Sequence, residues 1–202
     1  CCGVSAIINS SSQSVFGAEK KSLPAEEELF APGYLYALAK ASSELLLETI
    51  AGKSTTAYTN IRLASLIGPS KNVPVNVLYK FVENALDEKE IIVQGGKQNF
   101  SFLDVRDAAD AVIRLLALPF MEWKTAYNLG PQRQTNISEL AKIAGSYAVQ
   151  CGRAAGKVRL REDDTELNAG MDSRRLYKTL NWKPQFSIED TVAATGEYII
   201  AK

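Results

Sequence analysis

Tyr36 and Lys40 stand four residues apart in a stretch of good helix formers, so a helix would carry both side chains on one face, one turn apart. A free phenol has a pKa of about 10, and a neighbouring ammonium favours the phenolate, which lets a tyrosine exchange protons with a hydroxyl or carbonyl nearer neutral pH. The spacing alone is weak, because Tyr198 and Lys202 repeat it. A run of hydroxyls, Ser10, Ser11 and Ser12, precedes the pair by about two dozen residues and follows the apolar segment Val4 to Ile8. If that segment is a strand of a parallel sheet, the serines fall at its carboxyl edge, where such sheets bind ligands, and Ser12 can hold the oxygen that Tyr36 protonates.

Composition narrows the chemistry. The 202 residues contain no histidine, which excludes Ser-His-Asp and Cys-His nucleophile systems, an HExxH zinc site and a histidine proton shuttle. Proton transfer falls to Tyr, Lys, Cys or carboxylate. Lys plus Arg and Asp plus Glu are each 23, so no net field attracts nucleic acid or an anionic membrane, and neither is expected as a partner. The cysteines Cys1, Cys2 and Cys151 are odd in number and form no CxxC pair, which fits a reducing, cytoplasmic setting. No apolar run is long enough to span a bilayer.

The elements that must position these residues alternate between strand and helix. Val4 to Ile8 reads as a buried strand ending in a polar loop at Asn9 to Ser12, and Gly17 to Gly33 as irregular surface with the acidic run Glu26-Glu27-Glu28. Tyr34 to Ile50 reads as a helix with apolar residues on more than one face, and Thr56 to Ile67 as a strand closed by Gly68-Pro69. Val75, Leu78, Val82 and Leu86 recur at helical spacing, and strands follow at Ile91 to Val93 and Ser101 to Val105. Asp107 is positioned to cap the next helix, and Asn136 with Glu139 has capping-box spacing ahead of another. Tyr127 to Gly130 and Val158 to Leu160 read as strands, and Ser173 to Leu180 and Ile188 to Ile200 as helices. The pattern predicts an α/β fold with a mostly parallel sheet.

Several segments together resemble the extended short-chain dehydrogenase/reductase family, whose best-known members are NAD-dependent sugar-nucleotide epimerases and dehydratases. They are Ser10 to Gly17, Tyr36 to Lys40 with Glu44, Arg62 to Pro69, Phe102 to Ala109, Tyr127 to Gly130, Asp172-Ser173 and Leu180 to Pro184. The resemblance implies a Rossmann-like doubly wound parallel sheet with a smaller C-terminal α/β substrate-binding subdomain. Residues 1–70 would form the catalytic half of the first part and 71–202 mainly the second, with a segment around 101–118 returning to the first. It implies that Ser12, Tyr36 and Lys40 are catalytic, that Tyr36, Lys40 and Leu66 contact NAD or NADP, and that Ser14, Ser65 and Arg133 contact a sugar-like substrate. It also implies a homodimer through the Tyr34 to Ile50 helix, whose Leu45, Leu46, Leu47 and Ile50 are too many for one contact.

Three departures qualify that picture. No GxGxxG or GxxGxxG occurs, so the expectation is a chain that lacks the cofactor-binding first half and by itself holds NAD weakly. Ser65 and Phe100-Ser101 stand where many such enzymes have an Asn and an Arg-Asp pair; a phenyl ring cannot clamp a phosphate as a guanidinium does. Phe16 replaces a frequent Tyr. Those changes keep open a second reading, a non-catalytic relative that uses the fold for ligand sensing or assembly. The complete Ser12, Tyr36 and Lys40 set favours an epimerase, dehydratase or reductase.

Overall fold

A computed structural model describes residues 3–17, 23–70, 77–154, 156–162 and 167–202. Cys1, Cys2, Val75 and part of the irregular Gly17 to Gly33 stretch lie outside the described residues. In chain order the elements are β1 (Ala6–Ser12), α1 (Leu35–Ala51), β2 (Ala57–Leu63), β3 (Ser65–Ile67), α2 (Val77–Leu86), β4 (Ile91–Gln94), β5 (Asn99–Phe100) and β6 (Phe102–Asp104). They continue with α3 (Val105–Leu116), β7 (Ala126–Leu129), β8 (Thr135–Asn136), α4 (Ile137–Gln150), β9 (Val158–Arg161), β10 (Asn168–Ala169), α5 (Arg174–Leu180) and α6 (Ile188–Ile200).

The fold is α/β, as the alternation predicts. β1, β2 and β7 form a parallel sheet in that order, β3 pairs with β6 and β4 with β9, both parallel, and among the described residues only β5 against β8 is antiparallel. Two differences from the sequence reading matter for the site. β1 does not stop at Ile8: it runs through Ser12, with Ser10, Ser11 and Ser12 in register with Ile61, Arg62 and Leu63. The ladder bonds to β2 override the turn preference of serine. The Thr56 to Ile67 strand is two strands, because the chain changes sheets at Ala64. There Ala64 N donates to Leu129 O and Ser65 N to Ser101 O. A Cβ on Gly130 would lie 2.6 Å from the Ala64 Cβ, so the crossover needs glycine just past the end of β7.

Two buried groups hold the layers. Ile61, Tyr127 and Leu129 of the first sheet pack with Leu103, Ala111, Leu115 and Trp182. Leu78 and Val82 of α2, Ile91 and Val93 of β4, Leu140 and Ala144 of α4 and Val192 of α6 form the other. The caps also differ from expectation. Asp104, not Asp107, caps α3, accepting from Arg106 N, while Asp107 lies buried in the first turn and accepts from Gln185 N and Phe186 N. Asn136 caps α4 through Ser138 N, but Glu139 pairs with Arg133 instead of closing a box; the box is at Ser187 and Asp190 of α6.

Asp104 ties three elements together. Its carboxylate accepts from the Arg106 guanidinium at 2.8 and 2.9 Å and from the Thr191 hydroxyl at 2.7 Å. Burial alone would raise its pKa, yet those donors hold it below the ordinary carboxylate range. A lowered folded-state pKa contributes stability above the unfolded value near 4 and loses it as pH falls through the folded value. Asp104→Asn keeps the cap but not the charge. Urea unfolding at pH 6 should show the variant less stable by roughly 1–3 kcal/mol, and the gap should shrink steadily as pH is lowered from about 4. A gap independent of pH would contradict this account.

Candidate active site

The carboxyl end of β1 delivers its serines to a cavity of about 480 Å³, lined by Ser12, Ser14, Tyr36, Ser65, Leu66 and Phe100 among others. The chain leaves β1 in a 3₁₀ turn over Gln13–Phe16, capped by Ser12, whose Oγ accepts from Ser14 N at 3.2 Å and from Ser14 Oγ at 3.0 Å. Val15 and Phe16 anchor that turn in the core. Gly17 closes it at φ +82°, where Ala31 O lies 2.7 Å from the place a Cβ would take.

Helix α1 runs back along β1 with Tyr36, Lys40 and Glu44 on one stripe. Each makes a different contact. Lys40 Nζ donates to Ser10 O at 2.7 Å and lies 5.7 Å from the Tyr36 ring centre. One turn further on, the Glu44 carboxylate accepts from the Ser11 hydroxyl and from Arg62 of β2, Nε at 3.0 Å and Nη2 at 2.7 Å. Tyr36 itself is about half exposed, and its hydroxyl makes no hydrogen bond to a described residue. Across the cavity Gln13 Nε2 donates to Ser65 Oγ at 3.0 Å.

Of the residues singled out from sequence, Ser12, Ser14, Tyr36, Ser65 and Leu66 therefore share one cavity, and Lys40 reaches its edge through Ser10. Arg133 does not join them: it lines a separate depression of about 320 Å³ with Tyr177 and Phe186, its guanidinium held by Glu139 at 2.8 Å. A wider cavity of about 760 Å³ shares Ser65, Leu66 and Phe100 with the first and adds Lys80, Gln94 and Gln98.

A sequence model of the NAD dependent epimerase/dehydratase family matches residues 1–130. The chain belongs to that family. The Staphylococcus aureus protein CapI is 28% identical over 92% of this chain and 60% of its own length. UDP-D-apiose/UDP-D-xylose synthase 2 of Arabidopsis thaliana is 25% identical over 81% of this chain and 48% of itself. Among solved structures, Thermotoga maritima UDP-glucose 4-epimerase with UDP-glucose superposes with a TM-score of 0.85 at 25% identity, covering 98% of this chain and 64% of that one. A Bacillus cereus UDP-glucuronic acid 4-epimerase variant, bound to a fluorinated UDP-glucuronic acid and NAD, gives 0.85 at 21% identity, covering 97% and 62%. The chain thus spans less than two thirds of the length of these relatives. The fold is the Rossmann-like one that the sequence resemblance implies.

Within this family fold, three groups that sequence reading gave no role hold the site together. Arg62 and Glu44 are buried, with side chains 5% and 4% exposed. The guanidinium lies between Phe16 and Phe30, 5.0 and 4.8 Å from their ring centres, and its Nη1 donates to Glu26 O at 2.8 Å. Glu26, read from sequence as part of an acidic surface run, is buried and accepts from Asn128 N at 3.0 Å. The only sequence signal for this hub is that Glu44 continues the Tyr36, Lys40 stripe and is followed by Arg62 on the next strand.

Breaking a buried pair leaves a charge without compensation, which costs about 3–5 kcal/mol. Glu44→Ala is expected to lose stability on that scale by chemical denaturation, whereas Glu48→Ala on the exposed side of α1 should change it by less than about 0.5 kcal/mol. Equal effects would mean the hub carries no special weight.

Proposed function

We propose that this chain carries the catalytic and substrate-binding part of an NAD(P)-dependent epimerase, dehydratase or reductase that acts on a sugar or nucleotide sugar. The observation that supports it most is the meeting of Ser12 and Tyr36 in one cavity, with Lys40 fixed to the backbone of the same strand end. The residues present fit the nicotinamide-ribose end of the cofactor. A phenol opens on the cavity, an ammonium sits one turn along the same helix, and Leu66 supplies an apolar wall. No glycine-rich phosphate loop occurs in the sequence, so the pyrophosphate end would be held elsewhere in the complete protein.

When bound, NAD(P) supplies the hydride acceptor and donor. Ser12 hydrogen-bonds the reacting sugar oxygen and orients it. Tyr36 takes the proton from that oxygen as it becomes a carbonyl and returns one when the hydroxyl re-forms. Lys40, held on the Ser10 carbonyl one turn along the helix, binds the cofactor ribose. Ser14 and Ser65 offer hydroxyls to the rest of the sugar, and the wider cavity beyond Phe100, with Lys80 on its wall, receives what the sugar is attached to. Arg133 has no part in this arrangement. In this reading residues 1–70 belong to the catalytic half and the later part of the chain chiefly to substrate binding.

Two outcomes test the reading in the complete protein, loaded with NAD or NADP and offered UDP-glucose and UDP-glucuronic acid. Tyr36→Phe should lower turnover by 10²–10⁴-fold with cofactor affinity largely kept, and Lys40→Met should weaken both. Near-normal turnover by Tyr36→Phe would contradict the assigned chemistry. Leu45, Leu46 and Ile50 of α1 are each more than half exposed and give the face for a homodimer. Sedimentation across a concentration series should then show a dimer that Leu46→Glu converts to monomer.

A further inference from the structure

Tyr34 occupies the N-cap of α1, and its side chain makes no capping bond. That position favours Ser, Thr, Asp or Asn, whose oxygens satisfy a free N–H of the first turn; a tyrosine there leaves the cap unmade. The ring is not recruited to the core either, being 59% exposed. Instead it lies nearly parallel to Tyr36, with ring centres 6.3 Å apart and planes 16° from each other, and both residues line the 480 Å³ cavity together with Ser12, Ser14 and Ser65. A residue poorly suited to its structural position, held beside the Tyr36 phenol in a cavity that also carries several hydroxyls, has the attributes of a ligand contact.

We propose that Tyr34 is a substrate-binding platform. Its ring packs on the C–H face of the sugar while the serines of the same cavity hydrogen-bond the hydroxyl edge. A pyranose presents two chemically distinct surfaces, polar hydroxyl edges and apolar C–H faces, and the partial positive charge of the C–H groups suits the negative face of an aromatic ring. The cavity offers a partner for each: hydroxyls from Ser12, Ser14 and Ser65, and a ring from Tyr34. This inference rests on the sugar reading of the site and adds a specificity-determining contact to it.

Stability and binding move in opposite directions under this proposal, which separates it from a structural role. In the complete protein, Tyr34→Ser supplies a good cap and should keep or raise Tm. Its affinity for NAD alone should stay within about twofold of wild type. Affinity of the NAD-loaded protein for UDP-glucose or UDP-glucuronic acid, whichever wild type binds more tightly by titration calorimetry, should fall about tenfold, equivalent to ~1.4 kcal/mol. Tyr34→Phe, which keeps the ring, should bind within about threefold of wild type. Unchanged sugar affinity in Tyr34→Ser overturns the proposal, as does a fall in Tm with parallel losses for NAD and sugar. A loss confined to NAD overturns it as well, by placing the ring against the nicotinamide. If wild type binds NAD but neither nucleotide sugar, the sugar reading fails and the platform fails with it.

Discussion

Everything at the candidate site depends on one buried ion pair, Arg62 with Glu44. Arg62 is fixed on β2, so its guanidinium is a reference point set by the sheet. From there it holds the middle of α1 through Glu44, the end of β1 through the Ser11 bond to the same carboxylate, and the segment that feeds α1 through Glu26 O and the Phe30 ring. Such a pair gains little over an apolar replacement in net stability, since desolvating two charges is costly. What it gives is geometry: a planar fork has one good arrangement with a carboxylate, and that arrangement fixes how far α1 slides along β1. Tyr36 and Lys40 lie on the same helical stripe as Glu44, two turns and one turn away, so their reach toward Ser12 and Ser10 follows from where Glu44 is tied.

Local sequence encodes some of these elements and not others. The alternation of strands and helices, the α1 helix to within a residue or two and the terminal helices followed from periodicity, because apolar spacing and helix formers agree there. The Ser10 to Ser12 segment reads locally as a loop, since its own preferences favour turns and only the neighbouring strand makes it extended. The break at Ala64 was invisible for a similar reason: it answers to Leu129 and Ser101, far away in sequence. Local sequence points to Asp107 as the cap, but Asp104 holds that place and the Asp107 carboxylate accepts from Gln185 and Phe186, a contact with no local signature.

The site shows the same division. Chemistry and spacing single out Ser12, Tyr36 and Lys40, and the structure puts Ser12 and Tyr36 on one cavity with Lys40 bonded to Ser10 O. Arg133 is expected to contact the substrate, yet the fold puts it in a different depression, paired with Glu139 six residues on. Glu26 looked like solvated surface among three consecutive glutamates; only the fold reveals that one of the three turns inward to meet Asn128. Tyr34 gave no signal because a tyrosine near a helix start is unremarkable until its ring is seen beside Tyr36. Charged and aromatic residues are the hardest to place from sequence, because each has a long side chain whose partner tertiary structure decides.

Phe100, standing between the two cavities, separates a small hydroxyl-lined space from a wider one with more apolar walls. Under the proposed function, that division suits a substrate with a polar ring at one end and a larger attached group at the other, with the reacting carbon beside Tyr36. The most direct measurement of that claim is a crystal structure of the complete protein with NAD and UDP-glucose. The account predicts the Tyr36 hydroxyl and Ser12 Oγ both within about 3 Å of one sugar oxygen. A sugar bound away from both, with the fold intact, would contradict it.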